Sequence, residues 1–387
     1  MSATPHKPLE SWRIFFPLAG VLAVLGLGAW GAQLSGVGFG LRPSDHGAFM
    51  IWGVLGSGVF GFLLTAYPRQ NDAAMPTPRW LWALLAAQFA AALTLLVGRD
   101  MLPAPLRVAV VTLPWAGTLA WILPVATASL RRRWDDTTAA VPAALIAAAI
   151  GVALTCFDTM TPRGIAIGLG PFVTLLALAI LDRVLPFFSR VTPGYDGYRA
   201  RIFLGPLGAL LWGRALWPAI GPWAALGLLL LLGRQWWAWR PWPASRTPMI
   251  GVLHIGIAWC ALSWMFEIWG APPAASVHAL LVGGLGTLLL GISMRVVRGH
   301  SGLPIVLGRA GAVVMALGWV AAVLRVGAGW TGGSIPVLVA SATLLGWAFA
   351  VWLASTTVWA RYSRALALKA VHPGTRTPDS ARPPAGP

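Results

Sequence analysis

Runs of about twenty apolar residues, repeated along almost the whole chain, limit what this sequence can fold into. They lie near residues 14–34, 47–66, 80–97, 108–129, 139–157, 164–181, 202–217, 219–233, 248–269, 274–294, 305–325 and 335–359. A helix of that length crosses the hydrocarbon core of a bilayer and satisfies its own backbone polar groups there. The expected fold is an all-α integral membrane protein, a bundle of about twelve transmembrane helices. The seventh and eighth runs are the weakest, because Gly221 and Pro222 interrupt a stretch too long for one helix and short for two. Composition agrees: 57% of the 387 residues are hydrophobic and only 10% are charged. A soluble domain carries about 25% charged residues. Lys7 and Arg13 precede the first run, which is too long for a cleaved signal and reads as a retained span.

The net charge of +17 would suggest nucleic acid in a soluble protein. Here it is topological. With a cytoplasmic N-terminus, 22 of the 28 Lys and Arg residues fall in cytoplasmic segments. Only Arg42, Arg99, Arg107, Arg163, Arg214 and Arg325 fall outside. That asymmetry favours twelve spans with both termini cytoplasmic, the lipid bilayer as partner and no nucleic acid. The chain divides into a cytoplasmic segment 1–13, a polytopic domain 14–364 and a basic, proline-rich tail 365–387 that cannot bury a core. No internal repeat is convincing by eye.

Ionisable side chains at membrane depth are costly and mark candidate sites. Of the six histidines, His6 and His372 lie in the polar ends. The other four lie in or beside spans: His46 and His278 toward the outer face, His254 and His300 toward the cytoplasmic one. On a regular helical wheel His46, Met50, Gly53, Ser57 and Gly61 share one face. A His and a Met one turn apart can ligate haem iron or copper, with small residues leaving room for a flat cofactor. Equally, small residues mark close helix packing. His254 faces Ala258 and Ala261; His278 continues to Val282 and Leu285. Glu267, at about the depth of His278, is either its partner or an interfacial acid. Arg183, Arg295 and Arg298 either pair with acidic groups such as haem propionates or are plain positive-inside charge. Gly56, Gly58 and Gly61 spell GxGxxG inside a span, which excludes a dinucleotide fold. Cys156 and Cys260 read as core packers. There is no GxSxG, HExxH or CxxCH motif, so any haem would be non-covalent. These residues by themselves leave a cofactor site and a cofactor-free carrier or channel for a small solute both open.

Three stretches carry a family resemblance. The first runs from His46 to Gly61-Phe62-Leu63-Leu64-Thr65-Ala66-Tyr67-Pro68. The second is Arg183-Val184-Leu185-Pro186-Phe187-Phe188-Ser189-Arg190. The third comprises His278-Ala279-Leu280, Val282-Gly283, Met294-Arg295-Val296 and Gly299-His300-Ser301-Gly302. In this order they resemble the motifs of the NnrS family, bacterial multi-span membrane proteins linked to nitric oxide stress. The resemblance implies a bacterial inner-membrane protein holding haem, and copper as a second cofactor, that protects against nitric oxide or iron-nitrosyl damage. Redox turnover of such species is one form that protection could take. His46, His254, His278 and His300 would be ligands, with Met50 a further metal ligand, and Arg183, Arg295 and Arg298 would anchor acidic groups. One departure stands out. Where the family reads W-H-x-H-E-M, this chain reads Asp45-His46-Gly47-Ala48-Phe49-Met50. Ala48 and Phe49 replace a histidine and a carboxylate, which puts the copper in question.

Overall fold

The computed structural model describes residues 9–38, 40–97, 101–189, 197–239 and 247–371. Regular structure among these residues is entirely helical. Each apolar run forms a helix: α1 Trp12–Leu34, α2 Pro43–Gln70, α3 Pro78–Val97, α4 Ala104–Arg132, α5 Asp136–Leu154, α6 Thr161–Ser189, α7 Gly197–Leu216, α8 Gly221–Ala238, α9 Pro248–Ile268, α10 Pro273–His300, α11 Gly308–Trp330 and α12 Ile335–Val371. The last helix runs on through residues assigned to the C-terminal tail; 1–8 and 372–387 lie outside the described residues. Ten of these helices are long and apolar enough to cross a membrane. The weak pair is again α7, apolar only over Phe203–Leu216, and α8, whose 18 residues include Arg234, Gln235 and three tryptophans.

Local chemistry sets the helix ends. Proline occupies the first turn of α2, α6, α8, α9 and α10, where its missing N–H has no partner to lose. Asp135 caps α5 by accepting from the Thr138 N–H. Apolar residues run round the full circumference of helices such as α1 and α9, as expected where lipid and protein both border them.

Burial separates the helices into two sets. The most apolar windows of α2, α6 and α10 are 83%, 78% and 67% buried, against 28% for α4 and 33% for α3 and α12. These three form the centre, and the others pack round them: α12 against α1 and α11, α4 against α3 and α5, and α8 against α7 and α9. In lipid the gain comes from close contact between helices rather than from leaving water. Trp52 of α2 stacks on Phe172 of α6 with ring centroids 5.3 Å apart. A Cβ on Gly151 or Gly168 would strike the Trp52 ring at 2.8 and 2.6 Å.

The three central helices share a device that the sequence did not disclose. Each opens as an α-helix, passes through a π-helical segment and continues as α-helix. The π segments are Phe49–Leu55, Gly168–Thr174 and Ala279–Gly286; that of α6 touches both others. Between α2 and α10, each 28 residues long, the likeness extends residue by residue. Pro43, Gly53, Gly56, Ser57 and Gly61 stand where α10 has Pro273, Gly283, Gly286, Thr287 and Gly291. Each helix is followed by a turn residue with positive φ, Asp72 (51°) and Gly302 (69°). This likeness is confined to the two helices. Besides one proline and four small residues, Leu55 and Leu285 coincide, and the other large side chains differ.

Candidate functional site

The π segments matter because two of them begin just past His46 and His278. His46 and Met50 of α2, His278 of α10 and Arg325 of α11 line one cavity of about 230 Å³. Its walls are otherwise mainly apolar, with Leu27, Leu281 and Leu345 among them. The Trp30 ring of α1 also lines it and stacks on His46, centroids 4.6 Å apart and planes 15° from parallel. His278 Nδ1 lies 2.7 Å from the Ala274 carbonyl one turn back. A carbonyl only accepts, so the proton sits on Nδ1 and Nε2 keeps a lone pair, the tautomer a metal-binding imidazole needs.

The π geometry changes which residues share a face. Wider turns keep residues spaced by four in line, so α2 lines the cavity with Pro43, Gly47, Ile51 and Leu55 and with His46, Met50 and Val54. On α10 His278, Val282 and Gly286 do so, and Leu285 does not. The face expected from a regular wheel therefore holds for His46 and Met50 and fails beyond them. Ser57 donates to the Gly53 carbonyl, and Gln88 of α3 donates to both. Gly61 is pressed against the Phe16 ring of α1. The room proposed beneath Met50 is filled by helix packing.

The other candidates lie elsewhere. His254 is buried in α9 and accepts a 2.9 Å hydrogen bond at Nδ1 from the Trp236 N–H of α8. Its proton is then on Nε2, which has no hydrogen-bond partner, so this tautomer presents a donor and not a ligand lone pair. His300, at the opposite end of α10 from His278, places Nδ1 2.8 Å from Glu10. Glu10 also accepts from Arg69 and from the Trp12 indole. Arg183 donates to Asp135 at 3.0 Å and to the Gln70 carbonyl, tying α6 to the start of α5 and the end of α2. Arg295 lies 3.7 Å over the Phe188 ring, and Arg298 donates to the Pro304 carbonyl. Glu267 is clamped by Arg214 of α7 at 2.6–2.9 Å and is not a partner of His278. Asp182, buried in α6, accepts from Gln235 of α8 and from Trp239 just after it.

Among the described residues no three His, Cys, Asp or Glu side chains converge as a metal-binding group. The structure brings together His46, Met50 and His278, and it separates them from His254, His300, Arg183, Arg295 and Arg298. Arg325 and Trp30 were missed in the sequence. A cation inside an apolar run was the available signal for Arg325; nothing local marks Trp30. Ala48 and Phe49 are both buried, and a Cβ on Gly26 of α1 would strike the Phe49 ring. Apolar packing thus occupies the two places where this chain departs from the family motif.

No match was found among curated proteins. A protein-family model described as NnrS protein matches residues 9–364, which include all three motif stretches and every residue named at this cavity. The cavity and its π-bearing walls are therefore those of a chain that belongs to the NnrS family.

Proposed function

We propose that this chain is a haem- or copper-binding bacterial inner-membrane protein that protects against nitric oxide and nitrosative stress, and that the outer cavity holds the bound group. The single observation that carries this reading is the convergence of His46 and His278 from separate central helices on one cavity, with the His278 Nε2 lone pair left available. Two imidazoles and a thioether suit haem iron or copper and do not suit magnesium or calcium. Bound there, the group would supply one-electron redox chemistry. The protein's own part is to orient. The Ala274 carbonyl fixes the His278 tautomer, the Trp30 ring holds His46 by stacking, and leucines form much of the cavity wall.

The topology proposed with it has twelve crossings and both termini cytoplasmic. Ion pairs support the alternation of the crossings by linking residues assigned to the same side. Arg42 pairs with Asp158 and Arg214 with Glu267 at the outer end; Arg183 pairs with Asp135 and Arg69 with Glu10 at the inner end.

The test is the visible spectrum of detergent-purified protein, oxidised and dithionite-reduced, with metal analysis on the same sample. A Soret band at near-stoichiometric haem is expected, falling several-fold in His278→Ala and His46→Ala and unchanged in His254→Ala. Undiminished haem in His278→Ala removes that residue as a ligand. A colourless, metal-free protein from haem-replete cells overturns the cofactor reading in favour of a small-solute carrier.

A further inference from the structure

Two described arginines of the outer end lack an oxygen partner: Arg163, which is exposed and contacts only the Met160 sulfur, and Arg325, which is partly buried in the wall of the cavity. Arg42 has Asp158 at 3.6 Å, Arg214 has Glu267 at 2.6 Å, and Arg107 donates to the Cys156 carbonyl at 2.8 Å. Among the described residues Arg325 has no carboxylate, carbonyl or hydroxyl partner, and no carboxylate lines its cavity. Its charge is instead close enough to His46 and His278 to interact electrostatically with both. A guanidinium held in a mainly apolar cavity without a counter-charge is costly, and chains retain such groups where a ligand completes them.

We propose that Arg325 makes the His46–His278 cavity an anion site, selective for a small planar group with two adjacent oxygens, a carboxylate or an inorganic oxyanion. The guanidinium fork matches such a pair of oxygens with two parallel N–H donors. The free ring nitrogen of His278 does not compete for the anion. His278 Nε2 presents a lone pair, which repels oxygen and faces any metal, while Arg325 supplies the positive charge. Metal or haem ligation and anion recognition would thus be divided between α10 and α11. Two sources share this chemistry, a carboxylate belonging to a bound cofactor and a free oxyanion entering from the outer side. The inference rests on the cavity being a ligand site and is readable whether or not the protein carries haem.

The experiment follows thermal unfolding of the detergent-purified protein by tryptophan fluorescence. Sodium nitrite and sodium acetate are titrated against sodium chloride at equal ionic strength, and haem content is measured on the same preparations. A saturable rise in unfolding midpoint with nitrite or acetate, absent in Arg325→Gln and weakened in Arg325→Lys, establishes a free-anion site. Loss of bound haem in Arg325→Gln, with no anion effect in the wild type, assigns the carboxylate to the cofactor. Arg325→Gln and Arg325→Lys that match the wild type in anion response and in haem content overturn the proposal. A wild-type protein without haem that still shows the Arg325-dependent rise would refute the haem reading and leave this one standing.

Discussion

Glu10 sits just before α1 where three donors meet: His300 at the end of α10, Arg69 at the end of α2 and the Trp12 indole. Burial alone would raise its pKa, but these hydrogen bonds outweigh burial and hold it at about 2, against an ordinary 4.5. A carboxylate depressed on folding stabilises the fold fully above its unfolded pKa, and that contribution fades as pH falls through the folded value. The wild type should therefore be more stable than Glu10→Gln at pH 5, with the gap between their unfolding midpoints shrinking from about pH 4.5 toward pH 2. A gap that stays constant over that range would show that Glu10 does not couple to folding through its charge. Residue type made His254, His278 and His300 visible in the sequence, whereas nothing there marked Glu10. Their roles depend on which neighbour reaches which atom: a carbonyl at His278 Nδ1, an indole N–H at His254 Nδ1 and a carboxylate at His300 Nδ1.

Helices were legible as elements because twenty apolar residues in lipid have no other way to satisfy their backbone. Their internal geometry was not, since a π segment leaves no composition mark and is stabilised by what packs on it. The contact between α5 and α6 shows how narrow the tolerance is. A Cβ on Gly164 would lie 2.6 Å from the Gly151 carbonyl and 2.9 Å from the Thr155 nitrogen, both backbone atoms that cannot swing aside. Gly164→Ala should lower stability by about 1–3 kcal/mol, the usual cost of overpacking. Gly28→Ala, which meets nothing within 4 Å, should be neutral or slightly stabilising. Equal unfolding midpoints for the two variants in the same detergent would show that α5 and α6 can separate without penalty.

At the scale of the molecule, tryptophans mark two ends. Exposed Trp217, Trp223, Trp269 and Trp330 lie at the end that carries the cavity, and Trp134 and Trp237 at the other, as interfacial aromatics do. Twelve crossings predict that alkaline phosphatase fused after Trp217, between α7 and α8, is active outside the membrane. A fluorescent protein fused at the C-terminus should fluoresce inside. Inactive phosphatase after Trp217 would mean that α7 and α8 do not cross.

Sequence alone determined the class of fold, the places of the helices and the family, because apolar length and spaced motifs are local properties of the chain. It also marked the histidines, since an imidazole inside an apolar run is conspicuous wherever it points. Which of them meet was decided by tertiary structure. The packing of α2 and α10 about α6 brings His46 and His278 together and leaves His254 and His300 with other partners. The same packing sets Arg325, one cation among 28 in the sequence, beside that pair. Sequence position gives depth along a helix axis, whereas a site needs the rotation of each helix about that axis. The π turns reset that rotation in the central helices.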